Sequence, residues 1–208
     1  MSRGKDIWTY LNHSRHYHDY FEGYAERKTP GSDGRRTRIE RVYVREYYRQ
    51  DVSDRARLLL RICYVPLYLL GAGIFLYTGT RQTEGNMALY VTFSCFLTLV
   101  MMLWTAIVLF SWLSAPREMT LWEYHSGSVR LRGAAFAAGI LLVLDTAATG
   151  IFILLNHDSV LKGNLLSMLG FSVSALLMFT LHYAEKKVPY RKIPNETVRN
   201  KSSFLIEA

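Results

Sequence analysis

Residues 134–155 read AAFAAGILLVLDTAATGIFILL, with Asp145 as the only charge. A helix rises about 1.5 Å per residue, so about 20 residues cross a hydrocarbon core of about 30 Å. A run this long and this apolar exceeds an ordinary core helix. Three further runs share the pattern: Arg57–Thr78, Met87–Leu113 and Leu165–Tyr183. The expected fold is an all-α integral membrane protein, a four-transmembrane-helix bundle with a small cytosolic N-terminal segment that contains a β-hairpin. Its parts are a cytosolic module over 1–56, the transmembrane domain over 57–183 (spans 57–78, 87–113, 134–155 and 165–183), and a cytosolic tail over 184–208.

A mean hydropathy near zero over 208 residues conceals this partition, because most of the charge lies outside the four runs. Positive charge is also distributed unevenly between the loops. Before span 1 stand Arg35, Arg36, Arg38, Arg41, Arg45, Arg49 and Arg55; between spans 2 and 3, Arg117, Arg130 and Arg132; after span 4, Lys186, Lys187, Arg191 and Lys192. The other two loops each carry a single basic residue, Arg81 or Lys162, accompanied by an acid. Lys and Arg translocate poorly, so both termini are expected in the cytosol, in a plasma or inner membrane. The first span then serves as an uncleaved insertion signal, since Met1–Asp6 is charged and no apolar leader follows. The net charge of +8 is read as attraction to anionic headgroups rather than nucleic acid, with Arg35, Arg36, Arg38, Arg130, Arg132, Lys186 and Lys187 as lipid-headgroup or partner contacts.

The N-terminal module reads as a short interfacial helix over Lys5–Asn12 and a hairpin over 20–48. Turn formers at Thr29–Gly34 lie between β-formers such as Tyr24 and Val42. Ser53 is placed to cap span 1, and Ser126 or Ser128 to cap span 3. Pro189 and Pro194 predict no long helix after span 4, and the tail is expected to be flexible. Cys63 and Cys95 lie at different depths, which argues against a disulfide.

Asp145 is the costly residue, since an acid at mid-membrane costs about 2.5–3.5 kcal/mol on the insertion scale. It should face the bundle. Depth matching offers Ser172 and Ser174 of span 4, Thr98 of span 2 and Tyr68 of span 1 as hydroxyl partners. The structural reading is a hydrogen bond that fixes helix register; the functional readings are docking of another subunit's basic residue, or an ion or proton relay. Gly170 and Ser174 form a small-xxx-small pair suited to close packing.

No catalytic constellation is recognised, and no cofactor or metal is assigned. His13, His16 and His18 do not present converging ligands, and no nucleophile elbow or phosphate-binding loop occurs. The expectation is a non-enzymatic structural or partner-recruiting subunit of a membrane complex, in contact with lipids and with a protein partner or further copies of itself. The alternative is a homo-oligomeric ion or proton channel or transporter using Asp145.

Overall fold

The computed structural model describes residues 24–30, 37–156 and 161–195. The expected interfacial helix over Lys5–Asn12, the histidine cluster, Arg35, Arg36 and the end of the tail lie outside these residues. The chain divides into two compact units that are each discontinuous in sequence.

The larger unit is helical. Four of its helices are long and apolar enough to cross a membrane: α1 (Asp54–Gly79), α3 (Leu89–Ser114), α5 (Arg130–Leu155) and α6 (Leu161–Lys186), with one short turn, α2 (Glu84–Met87), between the first two. They form an integral membrane bundle; α1, α5 and α6 extend beyond the predicted spans, whereas α3 starts two residues later than predicted and ends one residue later. Apolarity stops at the first charged residues, whereas the backbone hydrogen-bond ladder continues through them. Ser53 Oγ accepts from Ala56 N at 3.2 Å and caps α1. Pro66 lies within α1, and α3 stops two residues before Pro116.

The helices pack in the ring order α1–α6–α5–α3, with α1 and α3 meeting at fewer points. Tyr64, Met102, Leu131, Leu142, Phe171 and Met178 are buried at its centre. Leu59, Phe93, Phe110, Leu154 and Leu176 point outward, while Thr98, Thr105, Asp145, Thr149, Ser167 and Ser174 are fully enclosed. A water-soluble domain distributes its residues the other way, so this arrangement is stable only in an apolar solvent.

Small residues set the approach of the helices. A Cβ at Gly170 would collide with the Thr78 side chain, and one at Gly139 would lie 2.8 Å from Phe179 Cε1. Ser174 Oγ donates to Gly71 O at 2.7 Å. The Gly170–Ser174 pair therefore forms the seam between α6 and α1.

The smaller unit holds the β-structure. Strands β1 (Tyr24–Pro30) and β2 (Thr37–Tyr43) form an antiparallel hairpin running from Tyr24↔Tyr43 to Pro30↔Thr37. The second strand was expected to reach Tyr48, but it breaks after Tyr43, whose hydroxyl donates to Glu46 O at 3.1 Å. Beyond the break, β3 (Tyr47–Gln50) enters a second sheet of order β4–β3–β5, with β4 (Glu118–Met119) and β5 (Tyr190–Ile193). The tail expected to be flexible thus contributes a strand between Pro189 and Pro194. Tyr48 stacks on Tyr124 at 4.5 Å, and Asn195 Nδ2 donates to Tyr43 O at 2.7 Å.

The start of the third span differs from expectation. Neither Ser126 nor Ser128 caps it. Helix α4 (Leu121–Tyr124) begins at Thr120 with a capping box to Glu123, and a π-helical turn over His125–Val129 leads into α5. Ser128 already lies inside that turn, and its hydroxyl donates to Glu185 and accepts from Arg132 rather than from a backbone N–H.

Candidate functional site

Asp145 is fully buried on α5. Its carboxylate accepts from Ser94 Oγ and, at 2.7 Å, from Thr98 Oγ1. Ser94 and Thr98 are four residues apart on α3, hence on one helical face, and they hold both carboxylate oxygens. The same residue's backbone carbonyl accepts from Thr149 Oγ1 at 2.9 Å. The polar group is thus satisfied within its own chain, as burial in a poor solvent demands.

Of the four hydroxyls matched by depth, only Thr98 bonds Asp145. Ser172 donates to Met168 O at 2.8 Å and reaches Thr146 Oγ1 only at 3.5 Å. The reason is rotational: Thr146, one residue and about 100° further round the helix, takes the position facing α6, which turns Asp145 toward α3. Ser174 faces α1 instead, through its bond to Gly71 O. Tyr68 donates to Met102 O at 2.8 Å, because α1 lies diagonally across the ring from α5. Ser94 was missed, although it lies one turn from Thr98 on the same face.

A second buried acid was also missed. Glu185, near the end of α6, is fully enclosed. Its Oε1 accepts from Trp112 Nε1 at 3.2 Å and Ser128 Oγ at 2.6 Å, and Arg132 donates to that Ser128 hydroxyl at 3.0 Å. His182 Nδ1 donates to Arg132 O at 3.0 Å. One carboxylate thereby joins the ends of α3 and α6 to the turn preceding α5. A signal was present in the sequence: Glu185 continues the buried stripe Phe171, Ser174, Met178, Leu181 at helical spacing. Read together with Lys186 and Lys187, it passes for a solvated tail charge.

The expected headgroup contacts divide. Arg130, Lys186 and Lys187 are exposed. Arg132 is half-buried and turned toward Ser128. Arg38 lies in β2 opposite Thr29. Near the other helix ends, Asn164 Oδ1 accepts from Gly85 N at 3.1 Å, and Asn86 Nδ2 donates to Thr78 O and Arg81 O at 2.8 and 2.9 Å. Chemically these arrangements hold polar groups still. Among the described residues no three His, Cys, Asp or Glu side chains converge on a common point.

Comparison with known proteins adds one relationship. Over 80 residues the chain is 34% identical to NAD(P)H-quinone oxidoreductase chain 6 of Synechocystis sp., a match that spans 38% of this chain and 40% of that relative. No family model matches the chain, and no solved structure does.

Proposed function

We propose that this protein is a small polytopic subunit of a membrane complex, in which the helix bundle anchors an extramembrane unit that recruits a partner. The observation that carries this reading is the β4–β3–β5 sheet. Its strands come from before the first span, between the second and third, and after the fourth. Strands bonded in one sheet share one side of the membrane, so the chain devotes three separate segments to a single ordered surface there. That surface carries a hollow of about 240 Å³ lined by Tyr43, Arg45, Glu46, Tyr48 and Lys192, among others. The likeness to a numbered chain of a multi-chain oxidoreductase supports a place in an assembly. Membership of an assembly is carried over; redox activity is not.

The same three segments bear the basic clusters, which favours a cytosolic location for them and for both termini. The self-satisfied Asp145 favours a structural role in the bundle over transport.

The test is purification of the tagged full chain from its native membranes beside a variant lacking residues 24–50, which removes both the hairpin and the central strand β3. The full chain should co-purify in stoichiometric amount with a second protein, in a particle larger than the variant's. Particles of equal mass and composition would dismiss recruitment through this unit.

A further inference from the structure

Within the membrane unit, a groove of about 370 Å³ runs between the start of α1 and the end of α6. It is lined by Val52, Ala56, Leu60, Cys63, Ala184 and Lys187, with Leu59, Val188 and Pro189 completing it. The geometry points to a binding site for one anionic phospholipid, with an acyl chain in the groove and the phosphate at Lys187.

Length is the first argument. From Ala56 to Cys63 the groove follows α1 for about 10 Å, some two thirds of the roughly 15 Å of hydrocarbon in one leaflet, and Val52, just before the helix, lines its headgroup end. Width is the second. A volume of 370 Å³ spread over that length is far too narrow for a helix about 10 Å across, yet it admits a single hydrocarbon chain. The small side chains of Ala56, Cys63 and Ala184 leave this space, so it belongs to the packing of the two helices.

Charge decides which lipid. Lys187 is the only charged residue in the lining, it is exposed, and no carboxylate lines the groove. It stands just past the C-terminus of α6, at the end of the hydrocarbon stretch where phosphates lie. Exposed Leu58 and Ile62 flank the groove, so it adjoins surface already covered by lipid. The Asp51 N–H donates to Pro189 O at 2.9 Å, fastening the chain before α1 to the chain after α6. This bond closes the headgroup end and keeps the two walls apart at a fixed spacing.

The experiment uses the purified full chain in mild detergent with equal amounts of phosphatidylglycerol and phosphatidylcholine, and native mass spectrometry counts the lipid retained. Phosphatidylglycerol should be favoured about five-fold, the equivalent of the ~1 kcal/mol that one lysine contributes near an anionic surface. Lys187→Gln should abolish the preference while leaving retention of one lipid. Ala184→Trp, which fills the groove, should remove retention of both. Lys162→Gln, at the far end of the same helix, should change neither. Equal retention of the two lipids by the unmodified protein, or an undiminished preference in Lys187→Gln, would overturn the assignment. So would full retention in Ala184→Trp. Circular dichroism of each variant ensures that a loss is read only from a folded bundle.

Discussion

Removing the Asp145 carboxylate should weaken the bundle by an amount that depends on Ser94 and Thr98. An interhelical hydrogen bond in a membrane contributes about 0.6 kcal/mol on average and up to about 1.7 kcal/mol. Asp145 accepts two, from Ser94 and Thr98. Asp145→Ala should therefore cost about 1–3 kcal/mol. The lower end applies if the freed hydroxyls turn back to carbonyls of their own helix, as Ser and Thr can. The informative quantity is the coupling. In a double-mutant cycle with Thr98→Ala, the pair should lose about 0.5–1.5 kcal/mol less than the sum of the single changes, because one bond cannot be broken twice. A cycle with Ser94→Ala should behave similarly. The assay is unfolding in mixed micelles as the SDS fraction rises, followed by helical circular dichroism. Coupling indistinguishable from zero in both cycles would refute the geometry at Asp145. In parallel, Asp145→Asn in liposomes should leave ion and proton flux unchanged; a flux in the unmodified protein that this change alters would restore the channel reading.

Other expectations follow from the same contacts. Glu185→Ala leaves the buried donors Trp112 Nε1 and Ser128 Oγ without their acceptor and should cost about 2 kcal/mol or more, with a shift in tryptophan emission. Gly170→Ala forces a Cβ into Thr78 and should destabilise by about 1–3 kcal/mol in the same unfolding assay; Thr78→Ala should recover part of the loss. In the smaller unit, burial pushes the Tyr43 phenol above its ordinary value, offset in part by the Leu121 N–H that donates to it at 3.0 Å. A raised value in the folded state means stability present below the unfolded value near 10 and lost as pH climbs through the folded one. Hydrogen exchange at Leu121 should accelerate in that window, and Tyr43→Phe should remove the step. For orientation, protease added to right-side-out vesicles should spare both termini and cut both in inverted ones.

The spans and the hairpin were legible because each is a local pattern written by its solvent. Apolar length marks a helix in lipid, and β-formers around Pro30-Gly31 and Asp33-Gly34 mark a turn between strands. The partners of Asp145 were only partly legible. Depth along a helix is readable from residue number, and it brought in Thr98. Rotation about the axis and the ring order of helices are tertiary facts, so Ser172, Ser174 and Tyr68 matched equally well by depth and bond elsewhere. Glu185 was hidden by its neighbours: two lysines suggest a wet tail, while the stripe beginning at Phe171 continues through it. Strands β4 and β5 span only 118–119 and 190–193. Pieces that short carry no periodicity, and their pairing with β3 across the whole chain is non-local.

The sheet with strands from three distant segments imposes an order on biogenesis. Strand β3 leaves the ribosome first, and β4 follows only after two helices have entered the translocon. The ladder closes when β5 emerges behind the last helix. Until then β3 has an open edge, able to pair with whatever extended chain it meets. A nascent protein with one helix inserted backwards would deliver β5 to the wrong compartment and leave that edge open permanently. Completion of the ladder thus requires an even number of membrane crossings between β3 and β4 and again between β4 and β5.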